Sequence, residues 1–542
     1  MQTDHAIAGS IKDVQTPYTK THIDIRGLGK TFEASMESIV VLQDLNLAIK
    51  KGEFVSVLGS SGCGKSTLLR IVAGIDKPTT GQVVFDPPAK SKQHCAMVFQ
   101  SHSLFPWRTA LGNVTFGLEQ SGYPRAEAEQ IGKSWLKRVG LEKFYDYYPH
   151  QLSGGMQQRV GLARAFAYDA DIMLMDEPFS SVDALTRRSL QDLLINLSER
   201  FQKTVLYITH SVDEAILLSD RIAMLSHRTG HISTIHPVDL PRPRSRQLEA
   251  EPDANSSSLK HELWNEVMSQ QPELSDHEVE LPTATHLNNN KGNTSIWQAL
   301  WFPFSLLLVW EVLSSLEILD PLFFPQPSHQ FMMLIEQLIQ GELLQHTLAT
   351  LTRMSVTFIL SIIIGGGVGL AMGLSRPIRT SLYPTVAALY PIPKIVILPF
   401  CMLIFGIGYT SLIAIGVIAA SFLVLMNTFA GVMNVAPEII MVGKVYGANK
   451  IQLILKVILP AALPFIFVGI RLGMGMALAV MVASEFIAAD NGLGYVVWTS
   501  WQILDMDAMY PAIIVVTFIG ILFHHGMKWL EKKYLPWQME RD

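Results

Sequence analysis

Charge is scarce in this chain and thiols scarcer still. Aspartate, glutamate, lysine and arginine make up 16% of the 542 residues, and only Cys63, Cys95 and Cys401 are cysteines. Three isolated cysteines cannot build a disulfide framework or a zinc spacing, so a reducing compartment suits the part that holds the first two. A basic excess is also missing. The formal net charge is −5, and no interleaved aromatic and basic run occurs, which excludes nucleic-acid binding. Met1-Gln2-Thr3-Asp4-His5 is not a basic stretch leading into an apolar one. No cleavable secretory signal is therefore expected, and the N-terminal part is expected to stay in the cytoplasm. Membrane-length apolar runs are lacking before residue 296 and crowd after it. The length exceeds one usual domain, so two or three are expected.

What is present is dense in the first half. Gly59-Ser60-Ser61-Gly62-Cys63-Gly64-Lys65-Ser66-Thr67 follows the apolar run Phe54-Val55-Ser56-Val57-Leu58 and precedes Leu68-Leu69-Arg70-Ile71-Val72. That is the strand, glycine loop and helix of a phosphate-binding loop. The glycines let backbone N–H groups approach phosphate, and the helix presents its positive end. Lys65 is placed to reach the β and γ phosphates, and the Ser66 hydroxyl to ligand Mg2+. ATP and magnesium are thus the expected ligands. Downstream, Asp171-Ile172-Met173-Leu174-Met175-Asp176-Glu177 reads as a buried parallel strand ending in two carboxylates. At such an edge Asp176 can serve the metal shell and Glu177 can orient or deprotonate the attacking water; an acidic helix cap is the alternative.

Leu152-Ser153-Gly154-Gly155-Met156-Gln157-Gln158-Arg159 lies between loop and carboxylate strand. With these neighbours it resembles the signature of the ATP-binding cassette family, with Met156 before the glutamine as a variation. The resemblance covers about residues 22 to 245. It implies that Phe32 stacks on adenine, that Gln100 touches magnesium or water and senses the membrane part, that Asp183 belongs to a dimer-contact loop, and that His210, ending Val205-Leu206-Tyr207-Ile208-Thr209, is the switch histidine at the γ-phosphate. Ser153, Gly154 and Gly155 open a helix and so form an anion site, while the chain's own phosphate loop already occupies one ATP. Two cassettes facing head to tail resolve this, with ATP between the loop of one and the signature of the other. A homodimer is expected.

Residues 246 to 295 read as a polar linker, with a short helix around Leu259 to Met268. From Trp297 on, six apolar segments approach the length of a bilayer crossing: 297 to 315, 354 to 374, 382 to 405, 411 to 433, 460 to 484 and 510 to 527. Arg376, Arg379, Lys444, Lys450, Lys456, Lys528, Lys532 and Lys533 follow the second, fourth and sixth, which places those ends inside. Arg353 is the exception, at the outer start of the second. The expected fold is thus an α/β P-loop NTPase, the ABC cassette, in residues 1 to 245, followed by an all-α transmembrane domain of about six helices in residues 296 to 542.

Gly447 followed by Val457-Ile458-Leu459-Pro460 resembles the coupling loop of importer permeases, although Met441-Val442-Gly443 stands where Glu-Ala-Ala is usual. The short helix there is expected to dock on the cassette through apolar contacts. Pro391-Ile392-Pro393-Lys394, Phe405-Gly406-Ile407-Gly408, Asn427-Thr428, Ala462-Leu463-Pro464 and Ala483-Ser484-Glu485 resemble permeases of the nitrate, sulfonate and taurine importer group. Gly365, Gly369 and Gly373, and Gly469 with Gly473, suggest close helix packing or gating. Pro391, Pro393 and Pro399 should break the third segment. Lys394, Arg471 and Glu485 are intramembrane charges that need partners or water. Either Arg471 pairs with Glu485, or both serve an anionic solute; for Lys394 the alternative is to reach an interface.

The resemblance implies an importer in the bacterial inner membrane, with the ATPase part cytoplasmic, and an extracytoplasmic solute-binding protein as partner. Its solute would be small and anionic, such as nitrate, a sulfonate or taurine. An exporter is the rival, disfavoured by domain order and by the lack of long helical intracellular extensions. An importer of an unrelated small molecule, such as a vitamin precursor, also stays open. A non-transporting ATPase regulator would not need six membrane segments.

Overall fold

The computed structural model describes residues 20–33, 38–86, 95–101, 103–180, 182–226, 230–240, 254–269 and 296–538. They divide into two compact units. One comprises Met1–His277 together with Ala436–Val457, the other Glu278–Val435 together with Ile458–Asp542.

In the first unit, strands β1 (Thr21–Glu33), β2 (Ser38–Lys50) and β4 (Thr80–Phe85) form an antiparallel sheet in the order β2-β1-β4. A six-stranded sheet runs β5-β6-β7-β3-β8-β9, from β3 (Phe54–Leu58), β5 (Cys95–Val98), β6 (Ile172–Asp176), β7 (Thr204–Thr209), β8 (Arg221–Leu225) and β9 (Ile232–Pro237). All its neighbours are parallel except β8 with β9. Every residue of β3, β6 and β7 is buried, which is why these strands read as continuous apolar runs rather than alternating ones. Helices α1 (Lys65–Val72), α2 (Ala110–Gln120), α3 (Arg125–Arg138), α4 (Gly154–Ala167), α5 (Ala184–Phe201) and α6 (Val212–Leu218) complete the α/β fold.

The helix read around Leu259 to Met268 runs from Ala254 to Ser269 and is a packed element. Its Leu263 is buried with Leu58, Val212, Ala215 and Met224. Glu266 accepts from Ser233 Oγ at 3.0 Å and Thr234 Oγ1 at 2.7 Å, and meets His236 at 3.1 Å. The remainder of residues 246 to 295 lies outside the described residues, as does Pro241-Arg242-Pro243-Arg244.

The second unit is helical. Among the described residues four helices are long and apolar enough to cross a membrane: Glu342–Leu374, Tyr409–Met433, Lys450–Ala488 and Met506–Tyr534. The pair Arg376–Leu389 and Lys394–Phe405 is together long and apolar enough for a fifth span and is bent by 97° at its break. The first apolar segment forms the helix Ile296–Ser315. The break in the third falls at Pro391 and Pro393. Pro399 does not contribute, because it sits in the first turn of Leu398–Phe405, where a missing N–H costs nothing. The second crossing begins earlier than expected, at Glu342, and the helices Pro327–Gln340 and Leu493–Gln502 lie where loops were expected.

Glycine stripes set the packing of this unit. A Cβ on Gly365 would lie 2.5 Å from Ser421 O, one on Gly369 2.6 Å from Leu425 O, and one on Gly469 2.7 Å from Asn427 Cβ. Both stripes thus press on the helix Tyr409–Met433. Half of its apolar window is buried, against 22–28% for the other three long helices, so it is the central one.

The expected pairing of Arg471 with Glu485 does not occur. Both lie on the helix Leu459–Ala488, 14 residues or about 21 Å apart at 1.5 Å per residue, beyond reach of each other within one chain. Arg471 pairs with Glu531 instead. Glu485, fully buried, takes Arg353 Nη1 at 2.7 Å, Thr350 Oγ1 at 3.0 Å and Gly494 N at 2.9 Å. It therefore closes the N-terminus of Leu493–Gln502, where an anion satisfies free N–H groups. Arg353 also donates to Asn491 O at 2.9 Å, so this basic residue, a third of the way along its helix, has partners within the unit. Lys394 Nζ donates to the carbonyls of Leu389, Tyr390 and Ile392 at 2.8, 2.9 and 2.8 Å and lies 4.6 Å from the Phe422 ring centroid. It caps the carbonyls that the broken helix leaves open.

Candidate nucleotide site

Register brings the sequence elements to one edge. Leu58 pairs with Thr209, and Asp176 with Ile208, so the glycine loop after β3, the carboxylates ending β6 and His210 after β7 sit side by side at the carboxyl ends of parallel strands. Ligand crevices of open α/β sheets form there.

The loop itself is tight. Gly62 and Gly64 have φ of 85° and 100°, which L side chains rarely adopt, and a Cβ on Gly59 would meet Cys63 Sγ at 2.8 Å and Leu225 O at 2.9 Å. Cys63 is buried, which pushes its thiol up in pKa, so it packs rather than reacts. Ser60 and Ser61 carry the loop to Gly62, and Lys65, Ser66 and Thr67 form the first turn of α1. Lys65 Nζ donates to Gly59 O and Ser60 O, each at 2.8 Å, and lies 3.9 Å from Glu177 Oε1.

Ser66 Oγ donates to Asp176 Oδ1 at 3.1 Å. Burial raises the Asp176 pKa, with the Ser66 hydrogen bond opposing the rise. Glu177 holds a left-handed backbone at φ 40°, an uncommon conformation for a side-chain-bearing residue and one often found at functional sites. Its Oε2 is 2.9 Å from His210 Nδ1, so the carboxylate is set between a lysine and a histidine. Gln100 lines a cavity of about 510 Å3 with Ser66, Arg70, Asp176, Glu438 and Met441.

Five expected residues stand apart from this cluster. Phe32 is 43% exposed on β1, with Lys30 Nζ 4.9 Å from its ring centroid. Ser153 caps α4 by accepting from Met156 N at 3.4 Å; it and Gly154 are exposed, whereas Gly155 is buried. A Cβ on Gly155 would strike Thr186 Cγ2 at 2.2 Å, so this glycine serves α4–α5 packing. Asp183 caps α5 by accepting from Thr186 N at 3.0 Å.

Sequence reasoning missed the depth to which Ala436–Val457 enters this unit. In the chain this segment lies between the helices Tyr409–Met433 and Leu459–Ala488. Its Val442, Val445, Tyr446 and Val457 are part of the cassette's own hydrophobic core. The docking through apolar contacts expected for a segment without Glu-Ala-Ala is met. Gly447 turns the chain after the helix Pro437–Val445 with φ 87°, while Leu459 and Pro460 open the next long helix in the other unit. The readable signal was the run of apolar residues on a short helix between two membrane-length segments.

A glycine loop, a strand-end carboxylate pair and an adjoining histidine define a P-loop nucleoside-triphosphate hydrolase. Residues 42–180 match the family model described as ABC transporter, and residues 361–535 match that of a binding-protein-dependent transport system inner membrane component. An uncharacterized ABC transporter ATP-binding protein of Methanocaldococcus jannaschii is 49% identical over 232 residues, 42% of this chain and 86% of that protein. An aliphatic sulfonates import ATP-binding protein of Bacillus cereus is 40% identical, over 42% of this chain and 90% of its own length. A nitrate import ATP-binding protein of Synechocystis is likewise 40% identical, over 43% and 90%. A solved dimeric ATP-binding cassette bound to ADP and Pi is 34% identical, with a TM-score of 0.37, covering 40% of this chain and all of that one. The chain belongs to the ABC transporter family. It is an ATP-binding cassette joined in one polypeptide to a multi-pass permease, and its enzymatic activity is ATP hydrolysis coupled to transport.

Proposed function

We propose that the chain is half of an importer that works as a homodimer in the bacterial inner membrane, with its cassette in the cytoplasm. Its solute is a small anion of the nitrate, sulfonate or taurine kind, delivered by an extracytoplasmic binding protein. The observation that carries this reading is the folding of Ala436–Val457 into the cassette core, because that segment is continuous in sequence with two membrane-length helices. The names of the sulfonate and nitrate relatives support the solute class.

In the proposed mechanism, backbone N–H groups of Gly62 to Lys65 and the Lys65 ammonium hold the β and γ phosphates. Glu177 orients the attacking water and accepts its proton, and His210, hydrogen-bonded to Glu177, fixes that carboxylate and faces the γ-phosphate. Phe32 covers the adenine. Exposed Ser153 and Gly154 present the α4 N-terminus to the ATP of the second copy, and Asp183 lies on the same seam.

Among the described residues no group of three or more His, Cys, Asp or Glu side chains could hold a metal ion. A hydroxyl touching one carboxylate, with an amide on the same cavity wall, fits Mg2+ that takes its other ligands from phosphate and water. Ser66, Asp176 and Gln100 would hold it, and when bound it would neutralise charge on the phosphoryl oxygens.

For the membrane half, Lys394 is the pathway candidate that the geometry favours. It is a charge beside the bend of the broken crossing, whereas Glu485 and Arg471 are committed to ion pairs. The test is ATPase activity in proteoliposomes supplied with candidate binding proteins and with nitrate or taurine. Stimulation by one receptor–solute pair is expected; solute-driven stimulation from the cytoplasmic side alone would overturn import.

A further inference from the structure

The segment Ala436–Val457, part of the cassette's compact unit, carries a buried polar contact. Tyr446 is fully buried, and its hydroxyl donates to Met97 O at 3.0 Å. Met97 lies on β5, three residues before Gln100. Arg164 stands on the other side, its guanidinium carbon 5.1 Å from the Tyr446 ring centroid. Arg164 belongs to α4, the helix that the signature Ser153-Gly154-Gly155 opens, and it is itself buried, with Nη1 donating to Ser103 O at 3.1 Å. Tyr168 meets the ring edge-on at 5.3 Å. One side chain of the transport segment therefore touches both the strand that leads to Gln100 and the helix that the signature opens.

Apolar docking alone would let a short helix slide, because dispersion contacts have no direction. A hydrogen bond to a strand carbonyl and a cation over a ring face both have direction, and both are stronger away from water. Either element can therefore move only if Tyr446 moves or the contact breaks.

We propose that Tyr446 is the positioning residue through which this cassette drives its membrane half. The inference rests on the transporter reading above. If β5 shifts when Gln100 engages nucleotide, or α4 shifts when its N-terminus meets the second ATP, Tyr446 carries the displacement into Ala436–Val457. From there it passes along the chain into Tyr409–Met433 and Leu459–Ala488.

Hydrogen–deuterium exchange on the full chain in nanodiscs, with and without ATP plus orthovanadate, tests this. In the wild type, nucleotide trapping changes exchange in peptides from 409–433 and 459–488. In Tyr446→Phe the ring stays packed, so protection of 437–457 without nucleotide and affinity for ATP remain those of the wild type. The nucleotide-induced change in the two membrane helices falls about fivefold, the effect of removing one ordinary hydrogen bond from the coupling equilibrium. Should Tyr446→Phe fail to fold, Gly117→Ala presses the same cluster from another side, since its Cβ would lie 2.6 Å from Tyr168 and 3.0 Å from Tyr446. A full nucleotide response in the variant overturns the proposal. So does loss of protection at 437–457 before nucleotide is added, which would make Tyr446 a packing residue only. A wild type whose membrane helices ignore trapped nucleotide would instead sink the transporter reading itself.

Discussion

Glu177 and Asp176 are neighbours with different environments, and substitution should separate their roles. Glu177 is held between Lys65 and His210, so Glu177→Gln keeps size and hydrogen bonding while removing the base. Steady-state hydrolysis should fall by about 100-fold or more, with nucleotide binding retained, as measured by turnover and by equilibrium binding of ATP. Undiminished turnover would remove the assignment. Asp176 is buried, and its pKa is raised. A carboxyl whose folded pKa exceeds its unfolded value stabilises fully below the unfolded pKa and loses that contribution as pH rises through the folded one. At neutral pH the ionised group therefore weakens the nucleotide-free fold. Asp176→Asn should melt higher than the wild type at about pH 7, with the gap narrowing as pH falls and closing below the ordinary aspartate pKa of about 3.9. A gap that is constant across this range would contradict the burial argument. The two signature glycines also separate. Gly155→Asp should destabilise the cassette by collision with Thr186, whereas exposed Gly154→Asp should leave its melting temperature unchanged and abolish hydrolysis.

At the scale of helices, the network around Glu485 decides how the membrane half is held. Removing Arg353 would leave a fully buried carboxylate without its cation, a loss of about 3–5 kcal/mol. Arg353→Met should therefore lower the unfolding temperature in detergent more than Arg353→Met combined with Glu485→Gln, because the double variant leaves no buried charge. Equal losses in both would show that the pair is not coupled. This network also marks the limit of what could be read from sequence. The nucleotide loop was legible because its spacing is its geometry: a glycine needed at a positive φ can be located without knowing the fold. The membrane crossings were legible because bilayer thickness sets their length, and the break at Pro391 and Pro393 because proline removes N–H donors. Arg353 and Glu485 are 132 residues apart, and nothing local to either names the other. The same holds for Tyr446 and Arg164. Such partners follow from which helices pack together, and glycine stripes specify close approach without specifying which helix approaches.

At the scale of the whole molecule, the proposed shared site makes a prediction that no property of one copy can imitate. Lys65→Ala removes the cation from the phosphate loop, and Gly154→Asp places a charge on the exposed face of the signature helix. In a homodimer of either variant both seams are defective, so each preparation alone should be inactive. In a mixed dimer one seam joins two altered elements, while the other joins an unaltered loop to an unaltered signature. Coexpression with two affinity tags, followed by sequential purification of mixed dimers, should therefore recover ATP hydrolysis that neither parent shows. A site contained within one chain forbids this recovery, because every chain in the mixture carries a lesion in its own loop or its own signature. Recovery should also depend on Glu177 in the chain whose phosphate loop is intact. Adding Glu177→Gln to the Gly154→Asp copy should abolish it, and adding the same change to the Lys65→Ala copy should not. Mixed dimers as inactive as their parents would mean that nucleotide is not clamped between two copies, and the homodimeric mechanism would fall with it.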